Sequence, residues 1–199
     1  YDRLVGSEMC IRDSHLRELR DFPYLDYPLN QIGGIHLNTI EFMNDVHPIR
    51  KKSEANDFIK RTDLIKEVYQ GVLADLEKQA KSGIYPPEFV YGHVIKQLDE
   101  FIEYSNEEHP LYTQFMSKIN QLDLDQEDVN YFENEIKRSI SESVTPGFKV
   151  LRDFMIRTQK YANKNHGIWS QPGGDEYYKL KIRTFTTTDY SPEKIHQMG

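Results

Sequence analysis

The stretch from Asp125 to Ile156, DQEDVNYFENEIKRSISESVTPGFKVLRDFMI, decides the fold. Val129, Phe132, Ile136, Ile140 and Val144 recur at three- and four-residue steps, the spacing that puts apolar side chains on one face of a helix. Asp125 is placed to cap that helix, because its carboxylate can accept an otherwise unpaired N–H of the first turn. Past Thr145-Pro146-Gly147 the pattern resumes at Phe148, Leu151, Met155 and Ile156. A proline inside a helix removes a donor and clashes with the carbonyl four residues back, at about 3 kcal/mol or more. A kink or break near Val144 is therefore expected.

The same period extends upstream. Ile35 to Val46 can form a short helix with Leu37, Ile40 and Met43 on one side. Ser53 opens a longer stripe of Phe58, Ile59, Ile65, Val68, Tyr69, Val72, Leu73, Leu76 and Ala80, with a break near Thr62-Asp63 and a stop at Gly83. Pro86-Pro87-Glu88 starts a helix carrying Val90, Val94, Leu98, Phe101 and Ile102 inward, and Leu111 to Ile119 forms a short one. Asn163 to Gly174 reads as a loop, Asp175 to Phe185 as a helix, and Ser191-Pro192-Glu193 as a further helix start. Strand-like alternation is scarce. The expected fold is all-α, an irregular array of six to eight helices packed through apolar stripes.

The chain has 199 residues, with 25 Lys and Arg against 32 Asp and Glu, a net charge of -7. That balance argues against a strongly basic nucleic-acid binder, which needs clustered cations on phosphates. No apolar run approaches the roughly 20 residues that span a bilayer as a helix. One cysteine supports no internal disulfide framework. With 12% aromatic residues the chain has large units to bury, so a packed core is expected rather than disorder.

Chemistry is sparse. There is no H-E-x-x-H, no cysteine pair, no G-x-S-x-G and no phosphate-binding glycine loop. Glu193 and His196 have the spacing of one carboxylate–histidine ligand pair, but a bundle metal site needs a second such pair and further Glu residues. A cap-region charge and a surface or core histidine are the plainer reading. His15, His36, His47, His93, His109 and His166 are scattered. The acidic run at 123–128 reads as a helix start with a solvated face, and Thr186-Thr187-Thr188-Asp189 as a hydrogen-bonded turn.

Two resemblances add to this reading. Val5-Gly6-Ser7-Glu8-Met9-Cys10-Ile11-Arg12-Asp13-Ser14 resembles the translation of a transposase-type sequencing adapter. Residues 1–14 are therefore set aside as adapter-derived and expected to pack against nothing. Residues 15–199 are read as the incomplete N-terminal helical part of a larger domain. The second rests on Gly167-Ile168-Trp169, Pro172-Gly173-Gly174-Asp175-Glu176-Tyr177-Tyr178 and Thr186-Thr187-Thr188-Asp189-Tyr190-Ser191-Pro192-Glu193-Lys194-Ile195-His196-Gln197-Met198-Gly199. Pro28-Leu29-Asn30-Gln31-Ile32-Gly33-Gly34 and His47-Pro48 support it. These segments closely resemble a bacterial family known as domain of unknown function 885, over about residues 22–199, with Lys194 where the family usually has Glu.

That family looks like a distant branch of the helical zinc metallopeptidases. The resemblance implies a longer parent, a hydrolase of peptide-like substrates, whose zinc would be held by an H-E-x-x-P-G-H-H helix and a downstream acidic residue. Neither motif occurs here, so no catalytic or metal residue and no cofactor is assigned within this chain. The chain would be the non-catalytic N-terminal part, with its own C-terminal half as partner and with Trp169, Tyr177, Tyr178, Thr186, Thr187 and Thr188 toward a substrate channel. The alternative for these residues is packing against that other half. On either account an exposed apolar face is expected near residues 148–198. An extracytoplasmic, lipoprotein-like location is implied by the resemblance alone. The rival to the hydrolase reading is a helical binding or scaffolding module without enzymatic activity.

Overall fold

The computed structural model describes Phe22 and residues 25–199. The adapter-like segment, Cys10 and His15 lie outside the described residues. Among the described residues there are nine α-helices and no strand, and a single isolated bridge joins Pro87 to Asn163. The all-α expectation holds. The helices outnumber the six to eight expected, in part because the junction at Leu64 and the π-helical turn at Ile140–Val144 each divide one apolar stretch into two α-helices.

The helices are α1 (Ile35–Glu41), α2 (Lys52–Asp63), α3 (Ile65–Lys81), α4 (Glu88–Glu103), α5 (Pro110–Ile119), α6 (Gln126–Ser139), α7 (Thr145–Thr158), α8 (Gly174–Thr186) and α9 (Pro192–Met198). Their starts follow the cap chemistry. Asp125 accepts the N–H of Asp128 at 2.8 Å, and Ser191 accepts that of Lys194 at 3.2 Å. His109 does the same with its ring, Nδ1 accepting from Leu111 N at 3.2 Å, ahead of Pro110 in the first turn.

The decisive stretch resolves in an unexpected way. The chain neither breaks nor turns at Pro146. Residues Ile140–Val144 widen into one π-helical turn, and α7 then begins at Thr145 with the proline in its first turn. There the missing N–H leaves no bond unmade, and the widened turn relieves the clash with the preceding carbonyl. A second π-helical turn, Phe42–Val46, follows α1.

Helix α7 is the central post, packed against α3 and α4. Phe148 on α7 stacks on Phe101 of α4, with ring centroids 4.9 Å apart, and takes the edge of Tyr69 of α3 at 5.4 Å. A second aromatic column joins Phe58 of α2, Phe115 of α5 and Phe132 of α6. All six rings except Phe101 are fully buried. Offset and edge contacts of this kind add about 0.5–1.5 kcal/mol each beyond their area.

Two stripe residues depart from expectation. Val68 and Ile156 are exposed rather than buried.

Candidate functional site

Helix α8 and the turn before it carry the residues singled out from the sequence. The 3₁₀ turn Ile168–Ser170 is tied down by Ser170 Oγ donating to Gly167 O at 2.7 Å and by Gln171 Nε2 donating to Tyr85 O at 2.9 Å. The glycines of this segment are structural. A Cβ on Gly174 would stand 1.8 Å from Ile168 O, and one on Gly167 would meet the Trp169 ring at 1.7 Å. Only glycine lets the turn fold back on the start of α8.

The six candidates separate into two places. Tyr177 is buried, its ring 5.8 Å from Phe22, and its hydroxyl donates to the Asp26 carboxylate. Burial first and the Asp26 charge second push its phenol far above the usual tyrosine range. Tyr178, one residue on, is about half exposed, and Trp169 is largely exposed. Thr186, Thr187 and Thr188 sit at the far end of α8, about 12 Å away at 1.5 Å per residue. There Thr186 Oγ1 donates to Ile182 O at 2.8 Å and accepts from Thr188 N at 3.2 Å, the hydrogen-bonded turn read from the sequence. Thr187 adopts a left-handed backbone, φ 56° and ψ 24°, unusual for a β-branched residue.

Beside Tyr177 lies an open recess of about 610 Å³, lined by Asp26, Tyr27, Asn30, Tyr177, Tyr178 and Lys181. Asp26 organises it. Lys181 Nζ is 3.5 Å from its carboxylate, and its carbonyl accepts from Gln79 Nε2 at 2.7 Å. Burial, then the neighbouring Tyr91 and Tyr177, push the Tyr27 phenol up to about 12. At neutral pH these phenols stay protonated, so the recess offers hydrogen-bond donors, one carboxylate and one ammonium. It can bind polar groups, and it contains no activated nucleophile. Asp26 and Lys181 carried no sequence signal, because their meeting with Tyr177 depends on the packing of distant segments. A narrower cleft of about 460 Å³ lies along α8 near Glu176, Lys179, Arg183, Asp189 and Tyr190.

Several large apolar side chains between residues 148 and 198 are exposed, among them Ile156, Tyr161, Trp169, Phe185 and Met198. Glu193 and His196 are exposed on α9 with no third ligand near them, and among the described residues no three His, Cys, Asp or Glu converge on a metal position. Among the described residues no donor set fits a zinc site. His36, His47 and His109 are buried, whereas His93, His166 and His196 are exposed.

Comparison with known proteins places this geometry in a group. No curated protein matches the chain. A solved structure entitled "The crystal structure of the putative lipoprotein from Colwellia psychrerythraea" superposes with a TM-score of 0.83 at 27% identity. The match covers 86% of this chain and 29% of that one, so the chain spans less than a third of the neighbour's length. The family model described as bacterial protein of unknown function (DUF885) matches residues 5–199, starting within the adapter-like stretch. The chain therefore belongs to the DUF885 family of bacterial proteins.

Proposed function

We propose that this chain is a non-catalytic helical part of a larger hydrolase of peptide-like substrates, located outside the cytoplasm, and that its α8 region supports one wall of a substrate channel. The observation that carries the reading is the half-exposed Tyr178 in the lining of a recess that also holds Asp26, Tyr177 and Lys181, with Trp169 exposed in the turn before α8. Aromatic faces beside a few hydrogen-bonding groups are the usual lining of ligand sites. The likeness to a longer protein described as a putative lipoprotein supports the larger parent and the location outside the cytoplasm.

The test uses a full-length family member carrying the substitutions that correspond to Trp169→Ala and Tyr178→Phe. Peptide hydrolysis per folded molecule is expected to fall while the melting temperature holds. Lost stability with unchanged turnover would reject the channel role and leave packing. Absence of peptide hydrolysis by the unmodified protein would favour a binding module instead. The 199-residue chain alone is expected to hydrolyse nothing.

A further inference from the structure

Helix α5 is held at both ends by a buried histidine. At its start His109 is fully buried, its Nδ1 accepting the N–H of Leu111 at 3.2 Å and its backbone N–H donating to Ser105 O at 3.0 Å. At its end Lys118 Nζ reaches across to the π-helical turn Phe42–Val46, donating to Asn44 O at 2.5 Å and to His47 O at 3.0 Å. His47 is itself buried, its ring 5.3 Å from that of Phe58. Among the described residues each ring keeps one buried nitrogen without a hydrogen-bond partner, Nε2 of His109 and Nδ1 of His47.

These seats suit a neutral imidazole and reject an imidazolium. A protonated ring has two donors and no acceptor, so His109 would give up the Leu111 N–H. It would also set a positive charge at the positive end of the helix, against the rings of Phe101 and Tyr104. Burial alone shifts its titration, downward, with no charged group contributing. The adjacent acids are engaged elsewhere, Glu107 with Lys137 at 3.0 Å and Glu108 with Ser105 Oγ at 2.8 Å. At His47, burial and then Arg61 of α2 oppose the charge, as does Lys118, and outweigh the Pro48 backbone and Asp57, which favour it. The helix between these two points is peripheral. It packs against α6 and the π-helical turn through Leu111, Phe115 and Ile119, whereas the central post α7 packs against α3 and α4.

We propose that α5 is an acid-released element: protonation of the histidines at its two ends frees it from α6 and the π-helical turn while α3, α4 and α7 stay folded. Release uncovers the inner face of α5 and the rings of Phe58 and Phe132 that Phe115 covers. It is reversible, because only protons are exchanged. The direction follows from the two states. A histidine that titrates near 6.5 in the open state and about 4 in the closed one favours opening about twentyfold as pH falls from 7 to 5. His47 adds in the same direction. His36, the third buried ring, lies on α1 with Nε2 3.0 Å from Gln97 Oε1 of α4, away from the ends of α5. The inference is independent of any role in hydrolysis.

The experiment is amide hydrogen exchange on the full chain at pH 7 and pH 5, corrected for the intrinsic pH dependence of exchange and read over Pro110–Ile119 and Thr145–Thr158. Protection of α5 is expected to fall about twentyfold or more. At pH 5 it is expected to exchange about tenfold faster than α7 and to ignore low urea, because a local opening exposes little surface. His109→Asn keeps a capping acceptor and cannot titrate, so only the smaller fall due to His47 is expected to remain. His93→Asn, at an exposed histidine, is expected to change nothing. Three results would overturn the proposal: α5 protection equal at both pH values, α5 and α7 exchanging together with the same urea dependence, or the whole fall retained in His109→Asn. Should that variant not fold, nuclear magnetic resonance of the unaltered chain decides. Loss of the α5 amide signals as the His109 ring titrates supports release, and a ring titrating near 6.5 with those signals undisturbed overturns it.

Discussion

Ser143 Oγ donates to the carbonyl of Asp63 at 2.9 Å and accepts the N–H of Lys66 at 3.1 Å. One hydroxyl thus closes both sides of the α2–α3 junction from within the π-helical turn at Ile140–Val144. The Asp63 carboxylate answers in kind, accepting from Ser139 Oγ at 2.6 Å and pairing with Arg138 at 3.0 Å. The two irregularities in the helical array are locked to each other, Ser143 satisfying backbone groups that the junction leaves open and Asp63 tying the helix before the π turn through its side chain.

Ser143→Ala leaves a carbonyl and an N–H of that junction without their partner. The expected cost is about 1–3 kcal/mol. Urea unfolding checks it as a lower midpoint at unchanged slope. A change below about 0.5 kcal/mol, the range of ordinary surface substitutions, would mean that water replaces the hydroxyl without loss.

His109 makes stability depend on pH. Its Nδ1 accepts from Leu111 N, so the proton of the neutral ring sits on Nε2, buried with no hydrogen-bond partner. Burial lowers its pKa from 6.5 to about 4. The unfolded chain therefore binds a proton that the folded chain refuses between those values. Stability is full above about pH 6.5 and falls by about 3 kcal/mol as pH drops toward 4. Burial lowers the pKa of His36 and His47 as well, adding in the same direction. Denaturant titrations at pH 7 and pH 4.5 measure the drop. His109→Asn keeps a capping acceptor and removes the titration, so its stability is expected to lose less over that interval. An unchanged pH slope in the variant would show that His109 is not the source.

Thr187 holds a left-handed backbone that costs an ordinary L-residue roughly 1–2 kcal/mol. Thr187→Gly removes that cost and adds back about 0.5–1 kcal/mol of chain entropy. The expected result is a net gain of about 0.5–1 kcal/mol, read as a higher urea midpoint, with Thr187→Asn close behind because Asn tolerates this region. A loss of stability in both variants would mean that the hydroxyl, which donates to Thr186 O at 2.7 Å, outweighs the strain.

The sequence was most informative where the physics is local. Asp125 and Ser191 are the caps their side chains announce, and, Val68 apart, the apolar steps from Phe58 to Leu76 and from Phe132 to Met155 form the core faces they spell. The proline at 146 was legible as an irregularity but not as a π turn, because its accommodation depends on whether the preceding helix can widen against α2 and α3. In the candidate site, Tyr177 and Tyr178 are neighbours in sequence with opposite fates, one buried on Phe22 and Asp26 and the other half exposed.

Periodicity and capping act over a few residues, so the chain alone determined an all-α array and most of its boundaries. It could not determine what meets what. Asp26 finds Tyr177 across 151 positions, and Arg61 comes to lie over Phe42 only when the end of α2 comes beside the π-helical turn that follows α1. Those encounters arise from helix faces closing on a shared core, and a face left uncovered, such as the one at Leu64 and Val68, exists only once every other face has been filled.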